Sequence, residues 1–131
     1  MVVMARGSAV DVEALASSAV EIAGVKLIAA AVPGADRQLL GQLVDQLAAR
    51  LQPAAVLLGS VEDGKIALVC KVSDDAVTMG AKAGDLISAV ARSCGGGGGG
   101  RPNYAEGAGS RPEQLDDALK AAAETLRSGL E

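Results

Sequence analysis

Residues 55–72, AVLLGSVEDGKIALVCKV, decide how this chain folds. Two apolar runs, 55–61 and 66–72, flank Glu62-Asp63-Gly64-Lys65. Asp-Gly is a pair in which both central turn positions tolerate positive φ, so the segment reads as two buried strands joined by a tight hairpin.

Working upstream, Pro53 closes a helical pattern carried by Leu39, Leu40, Leu43, Val44, Leu47, Ala48 and Leu51, with Asp36 as its N-cap. Before it, residues 25–32 (VKLIAAAV) form an apolar run stopped by Pro33-Gly34, which reads as another buried strand. Strand, helix and strand in that order make a crossover unit. Further back, Val12, Leu15, Ala16, Ala19, Ile22 and Ala23 recur at three and four, which predicts one short helix ended by Gly24.

Downstream, Ser73, Asp74 and Asp75 lead to a helix on Ala83, Leu86, Ile87, Val90, Ala91 and Cys94, with Arg92 in its last turn. It runs into residues 94–102, CGGGGGGRP. Beyond the glycines, Ser110 and Glu113 are spaced as a capping box with Pro112 in the first turn. The closing helix follows on Leu115, Leu119, Ala122, Ala123 and Leu126. The expected fold is α/β: a small mixed β-sheet of about four strands with helices packed on it and an exposed glycine-rich loop.

The 131 residues match the size of one ordinary domain. With no Phe or Trp and only Tyr104 aromatic, Leu, Val, Ile and Ala must fill the core. Residues 1–23 read as an N-terminal tail, in which Met4 and Gly7-Ser8 look like a cloning junction, and a short connecting helix; residues 24–131 read as the globular domain. The opening residues lack the apolar core of a signal peptide, and no apolar run reaches the roughly 18 residues of a membrane span.

The residues exclude most chemistries. There is no His, and Cys70 and Cys94 are too few and too far apart for a zinc motif. Both read as buried thiols, since neither lies in a C-x-x-C pair. Ser17, Ser18 and Ser60 have no histidine to activate them. Asp74-Asp75 and Asp116-Asp117 fall at helix starts, where acids complement the helix dipole without binding a metal. No catalytic residue, metal or cofactor is expected. The glycine run fails as a P-loop, for want of Gly-Lys-Ser/Thr, and as a dinucleotide fingerprint, because it follows a helix and not a strand. As a linker it is misplaced, since a capped helix follows.

The order Gly24-Val25-Lys26-Leu27, Asp63-Gly64-Lys65, Lys82-Ala83-Gly84-Asp85-Leu86-Ile87, then Gly95 to Pro102 and Ala105 closely resembles the C-terminal globular domain of alanyl-tRNA synthetases, over about residues 24–127. Gly97 stands where that family usually has Lys, and Asn103 and Glu106 where Asp and Gln are usual. The wider relatives are accessory domains of DHH-superfamily phosphoesterases, whose glycine loop usually ends in His where Arg101 stands here. The resemblance implies a non-catalytic appendage that contacts the tRNA elbow and helps the aminoacylation and editing modules act on one tRNA. Its partners would be tRNA and the remaining synthetase domains, in the cytoplasm, with an organellar form left open.

The charges suit that role. Residues 64–111 carry six cations against four acids, whereas each flank has a net charge of −3 within a chain of −4. With one aromatic residue, recognition by shape and phosphate fits better than base stacking. The expected contact residues are Lys82, Arg92, Gly95, Gly96, Gly98, Gly99, Gly100, Arg101 and Tyr104. Two alternatives stand beside this reading: a protein-interaction or homodimerisation module, and the substrate-binding accessory domain of a DHH phosphoesterase.

Overall fold

The computed structural model describes residues 12–32 and 34–130. The reading of the first eleven residues as a tail lies outside the described residues. The rest form an α/β domain around one mixed sheet, as the sequence predicts, but the sheet has six strands and not about four, in the order β1-β2-β3-β4-β6-β5.

The centre follows the sequence closely. β2 (Val25–Ala31), α2 (Arg37–Leu51) and β3 (Ala54–Glu62) form the crossover, and β2 and β3 pair in parallel. The Asp36 carboxylate accepts from the Leu39 N–H at 2.8 Å, the N-cap bond that starts α2. β3 and β4 (Lys65–Val72) are the expected hairpin, with Asp63 and Gly64 at φ of 53° and 74°. The pleat sends Leu57, Leu68, Cys70 and Val72 to one face and Val56, Leu58 and Val69 to the other. α2 covers the second face, and α1 (Val12–Ser17) rests on α2 through Leu15 and a 2.6 Å Glu13–Arg50 ion pair. Arg50 holds the Glu13 carboxyl below its usual pKa.

Four expectations are corrected. Residues 19–23 do not continue the first helix. Val20–Ile22 is β1, an edge strand antiparallel to β2, turned by Ala23 and Gly24 at φ of 51° and 90°. The β-branched Val20 and Ile22 share one face of the pleat with Glu21 on the other, and Ile22 is buried where a helix face would also have placed it. Ser73, Asp74 and Asp75 open a five-residue helix of their own, α3 (Asp74–Thr78), before α4 (Ala83–Ser93). The Ser73 hydroxyl accepts from the Ala54 N–H and donates to Asp75, tying α3 to the start of β3. The Ser110–Glu113 capping box does not form. A 3-10 turn at Pro112–Gln114 precedes α5 (Leu115–Leu130), and the Ser110 hydroxyl donates to the Gly95 carbonyl instead.

The fourth correction concerns the glycines. They are not a projecting loop: Gly97–Gly100 is β5, the outermost strand, antiparallel to β6 (Tyr104–Gly109). α4 covers β5 and β6 from the face of Leu57 and Leu68, and α5 continues that layer beside α4 over β1 and β2. Both cysteines are buried in that core, which raises both thiol pKa values. Among the described residues, no helix is long and apolar enough to cross a membrane.

Candidate functional site

The glycine strand is ordered by its neighbours. α4 ends in a Schellman arrangement: Gly95, at φ 77°, donates to the Arg92 carbonyl and Gly96 to the Ala91 carbonyl at 2.8 Å. The Cys94 carbonyl accepts from both Ser110 and Arg111 N–H groups, so the end of α4 is stitched to the end of β6. At the other end, Arg101 and Tyr104 exchange both backbone bonds, and the Ala83 N–H donates to the Pro102 carbonyl at 2.7 Å. The hairpin turn is thereby fixed to the first residue of α4.

Between these ends, α4 runs antiparallel to β5 at backbone contact. A Cβ on Gly84 would lie 3.1 Å from the Gly100 carbonyl oxygen, and one on Gly98 would lie 2.4 Å from the Gly107 Cα and 2.9 Å from Ile87 Cγ2. A Cβ on Gly96 would meet the Ala108 carbonyl at 2.0 Å. A Cβ on Gly97 or Gly99 would meet nothing within 4 Å. The strand therefore alternates: Gly96, Gly98 and Gly100 are pressed between α4 and β6, and Gly97 and Gly99 look onto open space.

The alternation also orients the backbone. Because Arg101 and Tyr104 form a doubly bonded pair, Gly99 with Glu106 and Gly97 with Ala108 are the next such pairs along the ladder. The N–H and C=O groups of Gly98 and Gly100 consequently point away from β6, along the free edge of the sheet.

Cations gather along this edge. Lys82, the extended residue before α4, lies by the Arg101 turn, and Arg92 lies ten residues on, about 15 Å along the helix. Arg111, which the sequence reading did not select, packs its side chain against Gly95, just past the end of α4. Its place follows from the capping of Cys94, a contact no local pattern announces. All four cations are exposed, and among the described residues none is in an ion pair; the four salt bridges use Arg37, Arg50, Lys71 and Arg127. Asp85 is the only acid on α4.

Tyr104 stands apart from this edge. It projects from the opposite face of β6, half-buried against α2, where a Cβ on Gly41 would lie 3.5 Å from its hydroxyl. The hydroxyl donates to Glu106 at 2.8 Å, and burial together with that carboxylate pushes its pKa up to about 12. Arg37, another residue missed from sequence, reaches over the sheet from α2 to the carbonyls of Leu68 and Gly107, at 3.2 and 3.1 Å, and to Glu106 at 3.4 Å. The expected site residues thus divide into an α4–β5 rim (Lys82, Arg92, Gly95, Gly96, Gly98, Gly99, Gly100, Arg101) and a separate face holding Tyr104. Among the described residues, no group of three or more His, Cys, Asp or Glu is placed to hold a metal ion.

Known proteins share both sequence and fold. The alanine–tRNA ligase of Ralstonia nicotianae is 48% identical over 105 residues, covering 80% of this chain and 12% of the ligase. That of Methylococcus capsulatus is 51% identical over 113 residues, covering 86% and 13%. The chain spans about an eighth of the length of these relatives. The C-Ala domain of Aquifex aeolicus alanyl-tRNA synthetase superposes with a TM-score of 0.76 at 27% identity, covering 84% of this chain and 98% of that domain. A DHH-domain protein described as a member of the s1p family of ribosomal proteins shares the fold, with a TM-score of 0.60 at 14% identity, over 92% of this chain and 30% of its own. The DHHA1 domain model matches residues 24–128, and the chain belongs to the DHHA1 domain family.

Proposed function

We propose that this domain is a non-catalytic tRNA-binding module of an alanine–tRNA ligase, which contacts the tRNA elbow and helps the aminoacylation and editing parts of the enzyme act on one tRNA. The α4–β5 rim is the contact surface. The observation that carries this reading is the coincidence of a bare glycine edge with four cations that make no ion pair among the described residues, in a chain whose net charge is −4. Similarity to alanine–tRNA ligases supports the choice of RNA as the polyanion.

Each part has a physical task. Lys82, Arg92, Arg101 and Arg111 neutralise phosphates and release counterions. The outward amides of Gly98 and Gly100 donate to phosphate or ribose oxygens, which can approach closely because no side chain intervenes. Backbone and phosphate contacts position an RNA by its shape and carry little base sequence information. The rim therefore suits a feature common to many tRNAs.

The experiment is a salt titration of tRNA binding by the chain and three variants. Arg101→Ala and Lys82→Ala should each weaken binding and reduce the slope of log K against log salt by about one. Gly97→Lys, whose Cβ points into open space, should do the reverse and steepen the slope by a similar amount. Unchanged affinity and slope in all three would remove the rim from the interface.

A further inference from the structure

Among the described residues, the outer part of the β5–β6 face opposite α4 is uncovered. β6 places Tyr104, Glu106 and Ala108 on it, and β5 places Gly97 and Gly99 there with open space above them. α2 reaches Tyr104 and, through Arg37, Glu106 and the Gly107 carbonyl, but stops short of Gly97 and Gly99. Two adjoining grooves share Tyr104 and Glu106. One, of about 590 Å³, is lined by Gln38, Gln42 and Arg37, and the other, of about 480 Å³, by Gly99, Arg101 and Asn103. Both are shallow and open to solvent, which suits a flat base laid on the surface better than an enclosed ligand. Gly99 lies directly opposite Glu106 in the ladder, so its bare peptide plane is a shelf whose inner border is a carboxylate.

We infer that this face takes one unpaired guanine base of a bound RNA, laid on the Gly97–Gly99 shelf beside Tyr104 with its pairing edge against Glu106. The inference rests on the nucleic-acid reading of the neighbouring rim and adds a base-reading site to it. A splayed, unstacked base is the form in which RNA sequence is usually read. The Glu106 carboxylate accepts from the Tyr104 hydroxyl at 2.8 Å and weakly from Arg37 at 3.4 Å, and an ionised carboxylate retains further acceptor sites. Guanine presents two adjacent donors on its pairing edge, N1–H and the exocyclic amine, which match a carboxylate. Adenine, cytosine and uracil each place an acceptor beside their donor, and that acceptor would face the anion. The side-chain amides of Gln38 and Asn103, which make no hydrogen bond among the described residues, remain for the guanine carbonyl and ribose. Arg101 at the mouth meets the flanking phosphate.

Tyr104 is the only aromatic residue of the chain, so its emission reports this face alone. The test uses the full 131-residue chain and single-stranded uridine hexanucleotides carrying one central guanosine, inosine or adenosine. The guanosine oligomer should bind about tenfold more tightly than the adenosine one, with inosine, which lacks the exocyclic amine, in between. Tyr104 emission should change in step with saturation. Glu106→Gln should abolish the preference with the thermal midpoint unmoved; if the midpoint moves, the inosine comparison on the native chain decides. Equal affinity for the three oligomers, a preference that survives Glu106→Gln, or emission unmoved by saturating guanosine oligomer overturns the inference. Lys82→Ala and Arg101→Ala should weaken all three oligomers alike. If they change nothing while the guanosine preference persists, the rim reading falls and this one stands.

Discussion

Gly98→Ala will unfold at a much lower denaturant concentration than the parent chain, and Gly97→Ala, one residue away in the same run, will not. The added methyl at position 98 would sit 2.4 Å from the Gly107 Cα, 2.5 Å from the Glu106 carbonyl oxygen and 2.9 Å from Ile87 Cγ2. Two of those three atoms are backbone, so relief requires β5 to move off β6 or α4 to lift. Overpacking of this kind costs about 3 kcal/mol, a large part of the 5–15 kcal/mol by which domains are ordinarily stable. At position 97 the same methyl meets nothing within 4 Å, and replacing a strand glycine by alanine should stabilise by about 0.5 kcal/mol. Denaturant midpoints at constant m-value measure both. Equal effects at the two positions would mean that β5 does not alternate as described.

Replacing Lys82, Arg92, Arg101 and Arg111 together by alanine will nearly abolish tRNA binding. If each meets one phosphate, the salt slope should fall by about three to four, and affinity at physiological salt should drop at least about a hundredfold. All four side chains are exposed, and among the described residues none is in an ion pair, so the fold should survive the replacement. Lys120→Ala with Arg127→Ala on α5 is the control, because it also makes the chain more acidic at two positions that are not among the rim residues. If that control weakens binding as much per charge, net charge governs the interaction and no particular surface does.

The sequence carries the centre of this fold because the punctuation there is backbone chemistry. Asp36, Pro53 and Asp63-Gly64 each act locally, and the helix and strands between them follow. β1 was hidden because apolar residues at 12, 15, 16, 19, 22 and 23 satisfy a helical period, while the turn that breaks it needs Ala23 at φ 51°, a conformation alanine rarely adopts. β5 has no sequence signature of a strand at all. Glycine has low strand propensity and no side-chain alternation, so Gly97–Gly100 is made a strand by the Schellman end of α4, the Arg101–Tyr104 turn and the pairing with β6.

The candidate site was legible as a list of residues but not as a surface. Lys82, Arg92 and Arg101 can be named from charge and position, yet their alignment depends on α4 running antiparallel to β5. Tyr104 looks like part of the same loop until the pleat carries it to the other face, toward Gly41 and Glu106. Arg111 joins the rim only because two amides share the Cys94 carbonyl. Long-range pairing supplies all three facts, and none leaves a trace in neighbouring residues.

The most direct test is to follow the backbone amide resonances of the labelled chain while unlabelled tRNA is added. The account predicts that the largest shifts fall on Gly98, Gly100 and Arg101, then on Lys82, Arg92 and Arg111, with β1 and α5 little changed. Shifts concentrated on β1 or α5, with the β5 amides unmoved at saturation, would contradict it.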